Sequence, residues 1–482
     1  AVVRLYRFET FLEFLDDQGR DAIVIKRILI NHDLTLLGPG TSVGKMYLGP
    51  LYYYLMVPFL AMTYPEPTGP GYAIALLSVV TVWLVYALGK KIVGEKAALF
   101  ATALYATSPW IVKLSRFSWQ PNPAPFVALL MMYLSVQAIH KKKIWYWFWV
   151  ACCLTVLSQL HYVALLSAIP TGMLFLYDLY RHGKGKLKTY GFVVASSLVV
   201  FLLSLSPLIA FDRLHNGLIS SGFREYLQDQ TRKTTLAQRL EHAVEDIHGR
   251  SMFVTVEMLG LSKEQRAINT YIVLAFFIVS VAALMHAKKS QHALGVGVVA
   301  LWVGMAVVGL TLFRDTIYPH YVAFLFPAVT LLFGVVAAYL SEKHVLLHIG
   351  SWLLVVWLIV VNLSGMYFWT ATPFGINDLR SVSKSLLVEL KPGERYNIAL
   401  LNDNREYRGM KYRYFLDVTD RPPASEYDYN DLDKLVVIVE NGENPKKAPI
   451  FEIQRFFEQY PHATLLTELS YKGIVTTYIF GR

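Results

Sequence analysis

The sequence predicts a polytopic α-helical membrane protein that ends in a soluble α/β domain, and three observations lead to this prediction. Hydrophobic residues make up 55% of the 482 residues and charged residues only 17%, which is too apolar for a soluble protein of this length. Apolar runs of roughly 20 residues, long enough to cross a bilayer, recur from Gly71 to Phe368. After residue 369 the apolar runs shorten and the charge density rises.

Basic residues collect in short clusters between the apolar runs. Cytoplasmic loops carry an excess of Lys and Arg, so we place these clusters in the cytoplasm. The net charge of +10 is spread over them and forms no single patch, so we interpret it as a topology signal and expect no nucleic-acid partner. The clusters are Lys90-Lys91, Lys141-Lys142-Lys143, Arg181 to Lys188, Lys288-Lys289 and Lys343-His344.

With the clusters inside, ten predicted spans alternate in direction without conflict. Segments 1–70, 108–122, 212–268 and 369–482 then lie outside. Two of the spans, 97–112 and 163–180, are short and are open to being tilted, broken or misplaced. The ten spans are 71–89, 97–112, 123–140, 144–161, 163–180, 190–211, 270–287, 293–312, 318–340 and 345–368.

The chain divides into three predicted regions. Residues 1–70 form a first extracytoplasmic loop with interfacial helices, 71–368 form the transmembrane domain, and 369–482 form the extracytoplasmic α/β domain. The segment from Ala1 to Arg7 has no initiator Met and resembles the outer end of a span, so we expect a first transmembrane helix before it. A processed signal peptide is the alternative.

Helix-like and strand-like segments alternate in the last region. It contains no glycine-rich phosphate loop and no metal motif, so we predict a lid or an acceptor-docking module. The predicted elements are a helix at 381–390, strands at 396–401 and 434–440, a helix at 450–460, and a terminal strand pair at 463–470 and 474–480.

Charged residues precede the first predicted span on the outer side. Asp17, Arg20 and Asp21 are spaced i, i+3 and i+4, so a helix would bring them onto one face. Charge beside lipid is costly unless it is paired, hydrated or used in function. Mutual pairing on a wet surface explains the cluster equally well. Apolar residues after it would contact the membrane surface or neighbouring helices; they are Ile23, Ile25, Ile28 and Leu29.

A segment rich in Gly and Pro, residues 38–50, is followed abruptly by aromatic residues. Gly40-Thr-Ser-Val-Gly-Lys45 lacks the spacing of a Walker phosphate loop, and Met46 stands where a hydroxyl is needed. We therefore predict a rigid surface loop that enters a short interfacial helix, with Tyr52 to Tyr54 at the level of the lipid headgroups.

Several segments together resemble the GT-C glycosyltransferases, and within them the glycosyltransferase family 39-like group of protein O-mannosyltransferases and lipid A aminoarabinose transferases. The resemblance covers about the first 370 residues and rests on the order and common outer placement of the segments. They are Asp17-Gln-Gly-Arg-Asp-Ala22, Gly49-Pro-Leu-Tyr-Tyr-Tyr54, Ser108-Pro-Trp110, Ser115-Arg-Phe-Ser-Trp-Gln-Pro-Asn122, Gln159-Leu-His-Tyr162, Ser206-Pro-Leu-Ile-Ala-Phe-Asp-Arg-Leu-His-Asn216 and Tyr318-Pro-His-Tyr321.

The resemblance implies inverting transfer of a sugar from a polyprenyl-phosphate donor to a lipid, glycan or protein acceptor on the outer face. Such a site needs a base for the acceptor proton, cations for the leaving phosphate and a groove for the lipid. Matching the family's Asp-x-x-Arg-x-Ala pattern makes Asp17 the general base and Arg20 a phosphate ligand. The family's Lys-Pro-Pro pattern is replaced by Leu48-Gly49-Pro50, and Lys45 is the candidate substitute for the missing lysine.

The remaining candidates are ranked by their outer position. Arg116, His161 and His320 are expected to bind the phosphate of the lipid carrier. A snorkelling Arg116 and a packed, hydrogen-bonded His161 are alternatives of equal weight. Residues expected to contact the sugar or the acceptor are Asp16, Asp21, Tyr53, Trp119, Asn122, Tyr162 and Tyr321.

No cofactor or essential metal is expected. Cys152 and Cys153 are adjacent in an apolar run and have no metal-ligand partner nearby, which argues against a disulfide or zinc. The spacing of the histidines in the 212–268 segment matches no compact metal site; they are His215, His242 and His248.

Two other classes of protein compete with an enzyme. A transporter or flippase for lipid-linked sugars would carry ionisable residues near mid-membrane and an internal repeat. We expect no buried acid within the central spans, and neither half of the sequence repeats the other. A scaffold would treat Asp17 like any surface acid. We expect an integral protein of a prokaryotic plasma membrane, since an outward-facing site with few cysteines fits that membrane better than the endoplasmic reticulum.

Overall fold

The computed structural model describes residues 1–41, 46–233, 236–259, 266–311, 317–371 and 374–482. The part before residue 370 is helical. Its α-helices are α1 (Val2–Leu5), α2 (Asp16–Asn31), α3 (Leu51–Thr63), α4 (Gly69–Val93), α5 (Glu95–Thr107), α6 (Pro109–Leu114), α7 (Ala124–Lys141), α8 (Trp145–Leu160), α9 (Ala168–His182), α10 (Leu187–Leu214), α11 (Leu218–Lys233), α12 (Leu236–Leu259), α13 (Arg266–Ala287), α14 (Ala293–Thr311), α15 (Phe326–Ser341) and α16 (Val345–Ser364). Short 3-10 helices occupy Glu9–Phe11, Tyr162–Ser167, Pro319–Leu325 and Tyr367–Trp369.

Eight helical segments within the described residues are long and apolar enough to cross a membrane, and the chain is an integral membrane protein. Helix α8 is apolar but shorter, and two of the predicted spans are irregular. Span 97–112 is broken after Thr107, because Ser108 is extended before Pro109 and a residue that precedes proline disfavours the α conformation. Span 163–180 starts as the 3-10 turn at Tyr162–Ser167.

Helix α15 lies at the centre of the bundle. In the apolar segment Pro319–Ser341, which contains α15, 94% of the most apolar 18 residues are buried, against 6% in α10, whose side chains are left to face lipid. Gly334 permits close packing of α15 on α5, since a Cβ atom there would lie 3.0 Å from the amide nitrogen of Ala101. The centre of the bundle is therefore close-packed and its periphery is apolar.

The segment 212–268, predicted to lie outside, contains the helices α11 and α12 within its described residues. Helix α12 packs against α13, α14 and α15. It buries Val254, Thr255 and Val256 near its end. The rest of the helix is mostly polar. A hydropathy profile of the sequence therefore does not detect the short apolar stretch of α12 that packs against the bundle.

Basic segments meet at the end of the bundle opposite the C-terminal domain. Lys96 lies 3.6 Å from Glu342, and Lys343 lies 3.5 Å from the ring of His286. The loops between α4 and α5, between α13 and α14, and between α15 and α16 therefore lie together at one end of the bundle, as their alternation with the spans requires.

A buried carboxylate joins α8, α9 and α10 near that same end. Asp178 is 1% exposed and accepts hydrogen bonds of 2.8 Å from the indole Nε1 of Trp147 and the hydroxyl of Tyr190. His182 lies one turn further along α9, with Nδ1 2.8 Å from the second carboxylate oxygen. The expectation that the central spans hold no buried acid is therefore wrong at Asp178. This acid lies near the end of its helix and away from mid-membrane.

The C-terminal domain is a four-stranded mixed sheet with helices. Strands β1 and β2 are parallel, and β4 pairs antiparallel with both β2 and β3, giving the order β1-β2-β4-β3. The predicted helices and strands are confirmed to within a few residues, but α18 is missed, because eight residues are too few to show a helical period. The elements are α17 (Ile376–Glu389), β1 (Tyr396–Leu401), α18 (Met410–Asp417), β2 (Lys434–Val439), α19 (Phe451–Gln459), β3 (Thr464–Tyr471) and β4 (Val475–Gly481).

Helix α18 joins the two parts of the molecule by packing along α2. At the far end of α2, Lys26 forms an ion pair of 2.9 Å with Asp417, and Arg27 lies 3.2 Å from Glu426. The hydroxyl of Tyr414 donates to the carbonyl of Pro65 at 3.0 Å. The C-terminal domain therefore covers one side of the helix that carries the charged cluster.

Candidate functional site

The first turns of α2 hold the predicted charged cluster on one face. Arg20 Nη1 lies 2.7 Å from Asp17 Oδ1, and Arg20 Nη2 lies 2.8 Å from Asp21 Oδ1. The prediction that a helix brings these three side chains together is confirmed. The guanidinium is shared between the two carboxylates.

The two carboxylates differ in their access to solvent. The side chain of Asp17 is 41% exposed and that of Arg20 is 32% exposed, whereas that of Asp21 is 3% exposed. Burial raises the pKa of Asp21, and the Arg20 guanidinium opposes that shift. Asp17 is thus the accessible acid, and Asp21 is a buried support for Arg20.

Helix α3 connects this cluster to a second segment. The hydroxyl of Tyr53 donates to Asp21 Oδ1 at 3.0 Å, and the hydroxyls of Tyr52 and Ser118 share a hydrogen bond of 2.6 Å. The expectation that all three tyrosines lie at headgroup level is wrong for Tyr52 and Tyr53, which are 0% and 2% exposed. Contacts of α3 with α2, α4 and α8 bury them, whereas Tyr54 is partly exposed.

Histidine and aromatic rings gather beside Ser118. The ring of His320 lies 4.1 Å from that of Trp119 and 6.0 Å from that of His161, and the ring of His161 lies 4.6 Å from that of Tyr321. These four residues come from three separate segments, and the structure brings them together as the sequence-based site requires. We call them the histidine–aromatic cluster.

Polar atoms near this cluster are unevenly satisfied. Asn122 donates from Nδ2 to the carbonyl of Phe117 at 2.9 Å, and Tyr162 donates to the carbonyl of Tyr47. Trp119 Nε1 and Asn122 Oδ1 are buried and have no hydrogen-bond partner among the described residues. Buried polar atoms normally have partners, so these two can serve a bound polar group.

The expected role of Arg116 in phosphate binding does not fit its contacts. Its side chain is buried, and it donates to the carbonyls of Val3 and Tyr6 at 2.9 and 2.8 Å and to the Tyr367 hydroxyl at 3.0 Å. The guanidinium also lies 4.6 Å from the ring centre of Phe368. Arg116 therefore ties the start of the chain to the segment after α16, which corrects both the phosphate-ligand prediction and its snorkelling alternative.

Asp16 also lies apart from the predicted sugar and acceptor contacts. It is 6% exposed, and Oδ1 accepts from the amide of Lys411 at 3.4 Å. Burial raises the pKa of Asp16 to about 7, and the positive charge of Lys411 opposes this shift. Asp16 therefore belongs to the junction with the C-terminal domain, which corrects its assignment as a ligand contact.

Two further predictions bear on the phosphate and on metals. Lys45 lies outside the described residues. Among the residues that are described, no group of three or more His, Cys, Asp and Glu side chains comes close enough to hold a metal ion. The described cations and imidazoles of the site are Arg20, His161 and His320.

Residues 49–211 match the family described as dolichyl-phosphate-mannose-protein mannosyltransferase. This stretch begins after α2 and includes Tyr53, Trp119, Asn122 and His161. A protein from Aquifex aeolicus strain VF5, itself without an assigned function, is 33% identical over 131 residues. That match covers 27% of this chain and only 26% of the relative.

Solved structures resemble the whole fold. ArnT from Cupriavidus metallidurans, crystallised with undecaprenyl phosphate, is 12% identical, with a TM-score of 0.60 over 99% of this chain and 96% of that one. The same enzyme in the apo state has a TM-score of 0.60 at 10% identity, with the same coverage of both chains. The Archaeoglobus fulgidus oligosaccharyltransferase, in complex with zinc and sulfate, has a TM-score of 0.50 at 13% identity over 90% of this chain and 66% of that one.

Proposed function

We infer, from the resemblance to GT-C glycosyltransferases in both the overall fold and residues 49–211, that this chain is a membrane glycosyltransferase. We propose that it transfers a sugar from a polyprenyl-phosphate donor to an acceptor on the extracytoplasmic face. The undecaprenyl phosphate in the similar ArnT crystal structure supports a lipid-linked donor. The accessible Asp17–Arg20 pair at the end of the bundle that bears the C-terminal domain is the observation that carries the proposal.

The proposed reaction is a single displacement at the anomeric carbon. An acceptor hydroxyl or amine attacks that carbon and gives its proton to Asp17. The bond from carbon to the phosphate oxygen breaks, polyprenyl phosphate leaves with the electron pair, and the configuration inverts. Asp17 suits the role of base because its carboxylate is exposed, whereas that of Asp21 is buried behind Arg20.

Arg20 has two functions in this scheme. It forms ion pairs with both Asp17 and Asp21. A phosphate that reaches Nη1 would compete with Asp17 for the guanidinium and leave that carboxylate free to accept a proton. Asp21, held by Tyr53, would keep the other side of Arg20 in place. Binding of the donor would thus prepare the base.

The histidine–aromatic cluster provides the second part of the proposed donor site. His161 and His320 offer hydrogen bonds to phosphate oxygens, and the faces of Trp119 and Tyr321 suit contact with a sugar ring. The unpartnered Trp119 Nε1 would be satisfied by a ligand oxygen. No metal-dependent or cofactor-dependent step is part of the proposal.

Localisation and acceptor are also proposals. The basic loops favour a cytoplasmic end, so the site and the C-terminal domain would lie on the extracytoplasmic side of a prokaryotic plasma membrane. The acceptor is a lipid, a glycan or a protein. A transporter of lipid-linked sugars is the alternative, and Asp178 is a buried acid within the described part of the central spans. It is fully hydrogen-bonded near one end of the bundle, which does not favour a transport path.

The decisive experiment compares the purified wild type with Asp17→Asn, using a polyprenyl-phosphate sugar and measuring both sugar release and donor binding. Loss of a general base costs about 10² to 10⁴ in rate, so turnover should fall at least a hundredfold while donor binding is retained. Asp33→Asn is the matched control, because Asp33 is an exposed acid just beyond α2. Equal turnover in wild type and Asp17→Asn would remove Asp17 from the mechanism.

A further inference from the structure

The C-terminal domain touches α2 at the residues that surround Asp17. Gly19 faces the start of α18 so closely that a Cβ atom would lie 2.5 Å from the carbonyl carbon of Met410 and 2.6 Å from the amide nitrogen of Lys411. Neither of these is a flexible side-chain atom that could move aside. The two helices are therefore in direct backbone contact between Asp17 and Arg20.

A buried charged network lies at the same contact. Lys411 Nζ is 2.9 Å from Glu440 Oε2 and 4.0 Å from Asp16 Oδ2. The hydroxyl of Tyr412 donates to the other oxygen of Glu440 at 2.6 Å. Asp16 and Lys411 are 6% and 8% exposed. One lysine of the soluble domain thus lies between two carboxylates, one of which belongs to the first turn of α2.

From these contacts we propose that Lys411 is a positioning residue, which holds the first turn of α2 and thereby sets the orientation of Asp17 and Arg20. The inference rests on the proposed function for its effect on turnover. Its effect on the structure of α2 does not depend on that function. In this role, Lys411 gives the C-terminal domain a part in the reaction although that domain does not contact the donor.

Replacing Lys411 by an uncharged residue should loosen the first turn of α2, because Asp16 and Glu440 lose the positive charge that lies between them. Breaking one partner of a buried ion pair is strongly unfavourable, since the remaining charge is neither solvated nor compensated. Without the lysine side chain, Glu440 keeps only the hydroxyl of Tyr412, and Asp16 loses the positive charge that faces it, so that burial favours its protonated form more strongly. The first turn of α2 is then no longer held to the C-terminal domain by this charge, and Asp17 can move with it.

The chain offers a matched control at the other end of α2. Lys26 also forms an ion pair with α18, at 2.9 Å from Asp417, but it lies more than two turns from Asp17. Lys26→Met therefore removes a contact between the same two helices without touching Asp16. Lys411→Arg keeps the positive charge and serves as the conservative rescue.

Amide hydrogen exchange on the full-length protein tests the inference independently of activity. In Lys411→Met we expect exchange in a peptide covering residues 15–23 to rise about tenfold, with residues 26–31 unchanged. Lys411→Arg should restore most of the protection, and Lys26→Met should leave residues 15–23 as in the wild type. Asp16→Ala, which retains the Lys411–Glu440 pair, should reproduce the effect if Lys411→Met fails to fold.

Kinetics supply the second measurement. With a polyprenyl-phosphate sugar, Lys411→Met should lower kcat about tenfold with a smaller change in the donor KM, because it misplaces Asp17 and Arg20 but leaves the histidine–aromatic cluster intact. Unchanged exchange at residues 15–23 would overturn the inference, and so would an equal rise in Lys26→Met. If the wild type shows no turnover, the proposed function fails, and hydrogen exchange alone decides whether Lys411 positions α2.

Discussion

Arg20 and Arg116 differ in the partners that their guanidinium groups bind. Arg20 is partly exposed and is paired with carboxylates that a ligand phosphate could replace. Arg116 is buried, and its donors are used by backbone carbonyls and a tyrosine hydroxyl. Because its donors are already used within the protein, we assign Arg116 to the stability of the fold and not to substrate binding.

We therefore predict that Arg116→Met lowers the stability of the protein without a specific loss of donor affinity. Leaving buried carbonyls unsatisfied should cost about 2–4 kcal/mol, which thermal unfolding in detergent would detect. Lys113→Met is the control, since Lys113 is a neighbouring, partly exposed cation. A normal unfolding temperature combined with weak donor binding would instead make Arg116 a phosphate ligand.

Asp16 should make stability depend on pH in a defined window. Its folded pKa is about 7, above the value of about 3.9 expected for the unfolded chain, so the folded state holds the proton longer. The unfolding free energy contributed by Asp16 is thus highest at low pH and is lost as the pH rises from about 4 to 7.

Asp16→Asn removes this titration and should gain stability relative to the wild type as the pH rises. The free energy of unfolding of Asp16→Asn minus that of the wild type should increase by up to about 4 kcal/mol between pH 4 and pH 8. Unfolding experiments at several pH values measure this difference. A difference that stays constant across this range would show that Asp16 does not change its protonation there.

At the scale of elements, the contact between α2 and α18 reverses the usual effect of a glycine substitution. Alanine normally stabilises a helix interior by up to about 1 kcal/mol relative to glycine. Gly19→Ala should instead be destabilising and should lower turnover, because its Cβ would overlap the backbone of Met410 and Lys411. Gly350→Ala in α16, where no atom lies within 4 Å, should be neutral or stabilising when unfolding temperatures are compared.

Spans and strands were predictable because each depends on a local signal. Apolar runs located the eight described helical segments that are long enough to cross a membrane. Short apolar runs located β1 and β2 almost to the residue. The i, i+3, i+4 spacing placed Asp17, Arg20 and Asp21 together. Proline before a helix also accounts for the break at Ser108, which hydropathy alone would run through.

The parts that were missed depend on contacts between distant segments. Nothing near Arg116 in the sequence indicates that its partners are Val3, Tyr6 and Tyr367. Likewise, Lys411 lies almost 400 residues after Asp16. Tyr52 and Tyr53 have the composition of an interfacial belt, yet tertiary packing buries them. The roles of such residues can be assigned only from the tertiary contacts that the folded structure shows.

At the scale of the whole molecule, the distribution of charge predicts orientation. In a Cys152→Ala, Cys153→Ala background, Lys472→Cys in the C-terminal domain should react with an impermeant maleimide in intact cells. Lys143→Cys in a basic loop should react only after permeabilisation, since positive loops stay in the cytoplasm. The opposite labelling pattern would place the candidate site inside the cell and contradict the proposed localisation.

The carboxylate of Asp178 has a consequence for biosynthesis. An aspartate at the centre of a lone transmembrane helix costs about 2.5–3.5 kcal/mol on insertion scales. Asp178, near the end of α9, faces a smaller cost of the same kind, and the hydrogen bonds from Trp147 and Tyr190 offset it. Helix α9 should therefore leave the translocon for lipid together with α8 and α10, as a three-helix unit. A mutation that removes Trp147 or Tyr190 would then lower the yield of inserted protein before any folded molecule exists.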